Sequence, residues 1–305
     1  MSHEIRTSLA EFAPAKINLT LRIGPRRPDG YHELESLVVF AGVGDALRLW
    51  PGEPLSLTVA GETAAAAGAI ADNLVLKAAR AFAAQVPDLR LGRFELEKCL
   101  PVAAGLGGGS SDAAAALRLL GHANLDKNLF GDRRMIAAAQ KTGADVPVCL
   151  SPASRVMRGI GELLSPPLHL PRLSAVLVNP RVSAHTASVF AARAESTSTT
   201  PYSGGDPATK LAERATSKAR MPGTDELIEA LQKSGNDLEP AAVSLHPVIA
   251  DVLSALRALP GCRLARMSGS GATCFGLFDA GRVEAAAREL AARHPGWWIV
   301  PTTLG

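Results

Sequence analysis

The residues best suited to chemistry lie between positions 101 and 116, where the sequence reads PVAAGLGGGSSDAAAA. Four glycines fall within five positions, between a strand-like stretch and an alanine-rich stretch that favours a helix. Glycine lets a backbone approach an anion closely, and a helix start adds unpaired N–H groups and a partial positive charge. The pattern therefore predicts a phosphate-binding loop, in which the hydroxyls of Ser110 and Ser111 reach the phosphates or a bound Mg²⁺.

Two familiar phosphate loops do not fit this segment. The Walker A loop requires a lysine, which is absent here, and the dinucleotide fingerprint requires a glycine where Ser110 stands. A flexible surface loop is the simplest alternative. The density of glycines between a strand and a helix favours a third type of phosphate loop.

The elements that position this loop follow from local patterns. Residues 33–59 predict short strands separated by breaks at Gly42, Gly44 and Pro51–Gly52, and Asp72–Asn73 predicts the N-cap of a helix. Alternation at residues 94–97 predicts a strand that leads into the loop, and a helix is expected from the serines onward. Strands and helices then alternate to the end, except for the polar residues 195–224, which predict a mobile insertion or a long loop.

The loop resembles the second signature of the GHMP small-molecule kinases, which include galacto-, homoserine, mevalonate and phosphomevalonate kinases. APAKINLTLRI from Ala13 resembles their first signature, and MSGSGATCFGLF from Met267 resembles their third. RRPDGYHEL from Arg26, TGADVPVCL from Thr142 and NDLEP from Asn236 are most similar to the member that acts on a cytidine-diphosphate-linked methylerythritol. The chain departs from many members at positions 103 and 104, where alanine replaces glycine.

The resemblance implies a function. It is ATP-dependent phosphorylation of the 2-hydroxyl of that small-molecule substrate, in the non-mevalonate route to isoprenoid precursors, with ATP and Mg²⁺ as cofactors. No metal ligand is assigned. Two alternatives stay open: another GHMP kinase of the homoserine or mevalonate type, and a catalytically silent nucleotide-binding regulator on the same fold.

The resemblance also assigns roles to single residues. Asp145 is expected to be the general base and Lys16 its electrostatic partner. The plain alternatives are a helix N-cap or turn residue for Asp145 and an exposed strand lysine for Lys16. The residues expected to bind ATP are Pro101, Val102, Ala103, Ala104, Gly105, Leu106, Gly107, Gly108, Gly109, Ser110 and Ser111. The residues expected to bind the substrate are Asn18, Tyr31, His32, His185, Thr186 and Phe190.

Tyr31 and His32 follow the turn signal Pro-Asp-Gly, which predicts that they project from a loop. An aromatic ring there suits stacking on cytosine, and His32 can bond to the base edge. The alternative for Tyr31 is packing at a hairpin end. For His185 and Phe190 the alternatives are a helix N-cap and a core aromatic, and Asn18 has the alternative of a simple turn residue. Residues 267–273 either help complete the phosphate site or form a tight turn between strands.

The fold class implied is α/β (α+β), a two-domain GHMP kinase fold. Residues 1–160 are expected to form an N-terminal ATP-binding domain with ribosomal S5-like βα topology. Residues 161–305 are expected to form a C-terminal ferredoxin-like domain, with the active site in the cleft between the two.

Composition limits the class of protein. The chain has 305 residues, 47% of them hydrophobic and 20% charged, with a formal net charge of +3. These values exclude a disordered or fibrous protein, and the even spread of charge argues against a nucleic-acid partner. Isolated cysteines, no long apolar stretch and no targeting segment at the N-terminus predict a cytoplasmic protein of bacterial type without a membrane partner. We expect a monomer or a weak homodimer.

Overall fold

The computed structural model describes residues 8–28, 30–125, 131–195 and 205–305. The strands are β1 (Leu9–Asn18), β2 (Arg22–Arg26), β3 (His32–Pro51), β4 (Ser56–Ala60), β5 (Gly92–Glu97), β6 (Arg155–Gly159), β7 (Leu163–Leu164), β8 (Leu173–Asn179), β9 (Cys262–Met267), β10 (Cys274–Phe278) and β11 (Trp298–Leu304). The helices are α1 (Leu74–Ala83), α2 (Gly108–Asn124), α3 (Arg133–Thr142), α4 (Val146–Leu150), α5 (Thr186–Glu195), α6 (Pro207–Ala212), α7 (Thr224–Gln232), α8 (Glu239–Leu245), α9 (Val248–Arg257) and α10 (Val283–Arg293). Among these described helices, none is long and apolar enough to cross a membrane.

The chain forms two compact units that interleave along the sequence. The first unit takes the chain up to Ala15 together with Gly44–Val102 and Gly107–Pro152. The second unit takes Lys16–Val43, Ala103–Leu106 and Ala153–Gly305. Strands β1 and β3 and the glycine segment (residues 101–111) therefore each contribute to both units. The division of the chain at residue 160 stays a prediction.

The first unit combines a small sheet with helices α1 to α4. Strand β5 pairs antiparallel with the end of β3 and parallel with β4. Helix α1 packs against α2 and α3, because Val75, Ala79 and Phe82 lie on one buried face. The predicted N-cap is confirmed, since the Asn73 side chain accepts a hydrogen bond from the N–H of Val75 at 2.9 Å.

The second unit contains a four-stranded antiparallel layer in the order β11-β8-β10-β9. Helix α9 packs on β9 and β10, and α10 packs on β11 and β8. The order β-α-β-β-α-β along the chain, with this strand order, is the ferredoxin-like arrangement. That part of the predicted fold is confirmed. The core beneath the helices is apolar, and it includes Val176, Val178, Ile249 and Leu256.

One predicted feature of the strands is wrong. Strand β3 runs unbroken from His32 to Pro51, through both Gly42 and Gly44. At Gly44 a Cβ atom would lie 2.3 Å from the carbonyl oxygen of Ala13. Glycine is needed there because two backbones approach closely inside the first unit, not because the strand ends.

The predicted mobile insertion or long loop contains a helix, so that prediction is wrong for Pro207–Ala212. Helix α6 begins after Asp206, whose side chain accepts from the N–H groups of Ala208 at 3.0 Å and Thr209 at 3.3 Å. Pro207 occupies the first helical position, and Ala208 and Ala212 are fully buried. The polar composition of this stretch hid an N-cap followed by proline, which is a recognised helix start. Residues 196–204 of the predicted insertion lie outside the described part of the chain.

Candidate active site

The second half of the glycine segment is the first turn of helix α2. The helix begins at Gly108, earlier than the serines where the sequence placed its start, and Gly107 occupies the N-cap with a φ of 60°. The N–H of Ser111 donates to the carbonyl of Gly107 at 2.8 Å. The first N–H groups of a helix have no acceptor within the helix, so this turn suits an anion.

The packing of the first unit does not require glycine in this turn. A Cβ atom on Gly108 would lie 3.5 Å from Leu100 and from Lys98, and one on Gly109 would lie 3.4 Å from Leu74. Both distances are ordinary van der Waals contacts, and alanine is the better helix former. The presence of glycine at positions 108 and 109 is thus better explained by a ligand that lies close to the backbone than by the packing of the fold.

Two polar atoms near the start of α2 are buried without a hydrogen-bond partner. Ser111 Oγ and Asp112 Oδ1 have no hydrogen-bond partner among the described residues. A buried polar atom without a partner is costly, and phosphate oxygens or a cation would satisfy the Ser111 hydroxyl. This turn therefore fits the phosphate groups of a ligand.

A buried charge cluster lies beneath this turn. The ammonium of Lys98 donates to the carboxylates of Asp45 and Asp112, the latter at 2.8 Å. Asp45 Oδ1 also accepts from the N–H groups of Cys99 at 2.6 Å and Leu100 at 2.9 Å, so Asp45 is the better-stabilised anion. Lys98 and Asp112 flank the glycine segment in sequence. Their ion pair joins the strand before the segment to the helix after it.

Burial dominates the protonation of this cluster. Desolvation raises the pKa of Asp112 to about 7, against the opposing effect of the Lys98 ammonium. Desolvation lowers the pKa of Lys98, but the two carboxylates together outweigh it, so the net shift of that pKa is upward. At neutral pH the cluster holds a charged lysine, and Asp112 is the carboxyl that exchanges its proton.

The predicted base, Asp145, lies at the N-cap of the short helix α4. It is half-buried, and its side chain makes no capping hydrogen bond to that helix. The alternative of an N-cap residue thus holds for its position but not for its side chain. The buried Arg118 fixes the helix, because its guanidinium donates to the carbonyls of Cys149 at 2.8 Å and Phe12 at 3.0 Å and pairs with Glu11.

In the second unit, the first half of the glycine segment is held by two other motifs. The N–H of Lys16 donates to Leu106 O at 2.8 Å, and the N–H of Thr273 donates to Ala104 O at 3.1 Å. Gly105 has a φ of 74°, and a Cβ there would lie 2.2 Å from Ser268 O. Glycine is required at this position because the backbones touch, which differs from the role of Gly108 and Gly109.

Lys16 and Asn18 both lie at the buried end of β1. Their exposed fractions are 4% and 3%, so the alternatives of an exposed lysine and a turn asparagine are wrong. The amide of Asn18 donates to the hydroxyl of Ser36 at 2.7 Å. Its N–H donates to Ser268 Oγ at 3.1 Å. The first and third sequence motifs therefore meet in this unit.

The connection between β9 and β10, residues 267–273, is both a tight turn and a partner of the glycine segment. The amide of Asn236 donates to the carbonyls of Met267 and Gly269, each at 2.8 Å. The amide of Asn179 donates to Thr273 Oγ1 at 2.9 Å. Sequence reasoning gave neither asparagine a role, although Asn236 lies in the NDLEP block and Asn179 in an Asn-Pro pair.

Several of the residues expected to bind substrate come together in the second unit. The rings of His32, the first residue of β3, and Phe190 on α5 lie 5.6 Å apart at 32°. Tyr31 precedes His32 in the turn after β2 and is 59% exposed, as its turn signal predicts. Phe190 is half-buried and contacts the His32 ring, so it is not simply a core aromatic.

The two residues at the start of α5 differ in their surroundings. The hydroxyl of Thr186 lies 3.0 Å from that of Ser270 in the β9–β10 connection. His185 is exposed, and its carbonyl accepts from the N–H groups of Ser188 and Val189, so it occupies the N-cap position of α5. Within the described ranges, no group of three or more His, Cys, Asp or Glu side chains could hold a metal ion.

The fold and the first turn of α2 place the chain among enzymes that handle phosphate groups. Residues 73–152 match the profile of the GHMP kinases N terminal domain, and residues 210–296 match that of the GHMP kinases C terminal. The chain belongs to the GHMP kinase family, and the predicted two-domain fold of that family is confirmed. GHMP kinases take ATP as their phosphate donor.

The chain is also similar to individual members of the family whose activities are named. The chain is 55% identical over 297 residues to 4-diphosphocytidyl-2-C-methyl-D-erythritol kinase of Xanthobacter autotrophicus, covering 96% of this chain and 97% of the relative. A crystal structure of 4-(cytidine 5'-diphospho)-2C-methyl-D-erythritol kinase has a TM-score of 0.76 and 32% identity, covering 97% of this chain and 99% of the other. Homoserine kinase from Cytophaga hutchinsonii shares the fold, with a TM-score of 0.67 and 19% identity, over 99% of this chain and 97% of the other.

Proposed function

We propose that this chain transfers the γ-phosphoryl group of ATP to the 2-hydroxyl of 4-diphosphocytidyl-2-C-methyl-D-erythritol, in the non-mevalonate route to isoprenoid precursors. The observation that carries the proposal is the end-to-end similarity to curated kinases of that name. The second unit supports it, because the His32 imidazole and the Phe190 ring lie 5.6 Å apart, next in sequence to the exposed Tyr31, and a pyrimidine base can stack on such rings.

The glycine segment is assigned to ATP. Phosphoryl transfer requires that the γ-phosphate be held in line with the acceptor and that its charge be compensated. The N–H groups of the first turn of α2 bind the phosphate oxygens, while Gly108 and Gly109 leave room for them. Mg²⁺ would accompany ATP, and the hydroxyls of Ser110 and Ser111 would be the protein groups that hold it in this assignment. Bound Mg²⁺ neutralises phosphate charge during the transfer.

Asp145 is assigned as the general base. Its carboxylate is half-buried at the start of α4 and is not used to cap that helix. A carboxylate in such a position can accept the proton of the attacking hydroxyl. Lys16 is assigned to charge stabilisation. Its side chain is buried, and at reduced dielectric an ammonium stabilises the negative charge of the transferring group more strongly than in water.

The acceptor is assigned to the second unit. Tyr31 and Phe190 provide aromatic surfaces for cytosine, and a neutral His32 presents one donor and one acceptor to the base edge. Burial, followed by the charges of Arg193 and Arg26, lowers the pKa of His32, so that it is neutral at physiological pH. Asn18, His185 and Thr186 are assigned to the methylerythritol part.

Four further predictions belong to this proposal. Residues 1–160 form the ATP-binding domain and residues 161–305 the second domain of the kinase. The enzyme works in the cytoplasm as a monomer or weak homodimer, and it acts on this small molecule rather than on a nucleic acid or membrane.

An acceptor panel tests the proposal. The purified protein is incubated with ATP and Mg²⁺ and with one of four acceptors, and release of ADP is measured. The acceptors are 4-diphosphocytidyl-2-C-methyl-D-erythritol, methylerythritol phosphate, homoserine and mevalonate. We expect turnover of the first and little of the other three. Turnover of homoserine or mevalonate would indicate another GHMP kinase, and nucleotide binding without any turnover would indicate a silent regulator.

A further inference from the structure

Two arginines flank the aromatic pair formed by His32 and Phe190. Arg26 is the cross-strand partner of His32 in the β2–β3 hairpin. Its Nε donates to Gly30 O at 3.2 Å, in the turn that carries Tyr31. Arg193 follows Phe190 by three residues on α5, which places the two side chains on the same face of the helix.

Arg193 also contacts the hairpin directly. Its guanidinium donates to the carbonyl of Ile23 on β2 at 3.3 Å. Helix α5 and the β2–β3 hairpin are thus joined at one end by Phe190 against His32 and at the other by Arg193 against Ile23. Both cations act on the same imidazole. Burial is the largest cause of the lowered pKa of His32, and the positive charges of Arg193 and Arg26 lower it further.

The carboxylates around this corner pair with three of its four arginines. Asp237 lies 4.0 Å from Arg193, but it pairs with Arg22 at 3.0 Å and accepts from the N–H of Ile23 at 2.9 Å. Arg22 and Arg193 together meet Asp237 and Asp206, so these four charges balance. The neighbouring Arg27 is balanced by its own acidic partners, Glu33 at 3.3 Å and Glu162 at 3.8 Å. Among the described residues, Arg26 is the arginine of this corner without a carboxylate partner.

We propose that Arg26 and Arg193 bind the diphosphate of the nucleoside diphosphate-linked substrate, while the base lies against His32 and Phe190. The proposal rests on the proposed function, and it adds a subsite with its own ligand chemistry. The planar guanidinium fork matches two phosphate oxygens and forms strong charge-assisted hydrogen bonds. In a nucleoside diphosphate, one ribose links the base to the diphosphate. The aromatic pair and the two arginines likewise lie next to each other, so that one ligand can reach both.

Binding of cytidine and of cytidine diphosphate, without ATP, tests the assignment by isothermal titration calorimetry. The variants are Arg26→Gln and Arg193→Gln. The control is Arg288→Gln, an exposed arginine on α10. We expect the affinity for cytidine diphosphate to fall roughly 10-fold or more in each variant, the scale of a lost charge-assisted hydrogen bond. Cytidine affinity should stay within about twofold, and the control should bind both ligands as the wild type does.

A proton NMR titration of His32 gives a readout that a merely structural arginine would not change in this way. Removing either cation should raise the pKa of His32 in the free protein. Bound cytidine diphosphate should raise that pKa in the wild type and raise it less in the variants, because its charge is then held further from the ring.

The outcomes separate the two proposals. If cytidine binds the wild type but both variants bind cytidine diphosphate as tightly as the wild type does, the diphosphate subsite is wrong and the proposed function stands. An equal loss of affinity for both ligands would also overturn the subsite, because it indicates a structural role. If the wild type binds neither ligand, the cytidine assignment fails, and the subsite fails with it.

Discussion

The hydroxyl of Ser268 donates a hydrogen bond to the carbonyl of Gly105 at 2.9 Å and accepts one from the N–H of Asn18 at 3.1 Å. One fully buried side chain therefore connects the β9–β10 connection, the glycine segment and β1. These three segments carry the three sequence signatures of the family. The two hydrogen bonds of the Ser268 hydroxyl indicate that the third signature holds the first half of the glycine segment in place within the second unit.

Removing this hydroxyl should loosen the segment. In Ser268→Ala the N–H of Asn18 loses its acceptor in a buried position, which costs about 1–3 kcal/mol. We expect the free energy of unfolding to fall by that amount and the KM for ATP to rise, as measured by urea denaturation and steady-state kinetics. Ser56→Ala is the control, because Ser56 is exposed and its hydroxyl bonds only to the neighbouring Pro54 O. An unchanged KM for ATP would show that the hydroxyl stabilises the fold without positioning the segment.

Gly109→Ala separates ligand binding from folding. The new methyl group meets Leu74 at an ordinary contact distance, and alanine favours the helix by up to about 1 kcal/mol. We expect unchanged or higher stability, with a KM for ATP raised roughly tenfold because the methyl group occupies the room left for phosphate. Gly105→Ala should instead destabilise the protein, since its Cβ would meet Ser268 O. Normal ATP binding by Gly109→Ala would exclude a phosphate close to that residue.

Ala103→Gly should stabilise the protein. Ala103 has a φ of 50°, a left-handed conformation that costs a residue with a Cβ about 1–2 kcal/mol. Glycine relieves that cost but adds backbone entropy to the unfolded state, so the net gain is about 0.5–1 kcal/mol. Thermal unfolding measures it. The neighbouring Ala104→Gly should be destabilising, since Ala104 is buried and its φ is not positive. Equal effects at the two positions would argue against strain at Ala103.

The proton on Asp112 should make stability depend on pH. Its pKa is raised from the ordinary 3.8 to about 7, so the folded state binds a proton that the unfolded state has already released in that range. This contribution to stability is fully present below pH 3.8 and is lost as pH rises through 7. Asp112→Asn removes it. The free energy of unfolding of the variant, relative to that of the wild type, should therefore increase between about pH 5 and about pH 8. Most of the wild type's loss of stability from Asp112 falls within that range.

Urea denaturation across that pH range measures the effect. Asp251→Asn is the control, an exposed carboxylate on α9, and its difference from wild type should stay constant with pH. A constant difference for Asp112→Asn as well would mean that Asp112 is ionised throughout the range beside Lys98.

Local patterns predicted the elements that depend on neighbours in sequence. Helix α1 follows from Asn73 and the spacing of its buried side chains, and the ferredoxin-like layer follows from alternating strands and helices together with the family resemblance. Helix α6 was predictable as well, because Asp206 and Pro207 form a helix start, but the polar composition around it was given more weight.

Contacts between residues far apart in the chain could not be predicted from the sequence. Gly105 and Gly109 look alike in the sequence, yet Gly105 packs against Ser268, which is 163 residues away, and Gly109 meets only an ordinary neighbour. The cluster of Asp45, Lys98 and Asp112 joins residues 53 and 14 positions apart, and no local pattern links them. Such residues become neighbours only through the pairing of β3 with β5 and the packing of α2.

Transfer of labelled phosphate tests the central claim most directly. The wild type and Asp145→Asn are incubated with Mg²⁺, [γ-³²P]ATP and 4-diphosphocytidyl-2-C-methyl-D-erythritol, and the radioactivity of the separated product is counted. A parallel reaction with unlabelled ATP is analysed by ³¹P NMR, which gives the position of the new phosphate. We predict one new phosphate monoester on the 2-hydroxyl, formed roughly 100-fold or more slowly by the variant, which keeps the shape of the side chain without its basicity. Label released as inorganic phosphate, label on another hydroxyl, or equal rates for the two proteins would contradict the account.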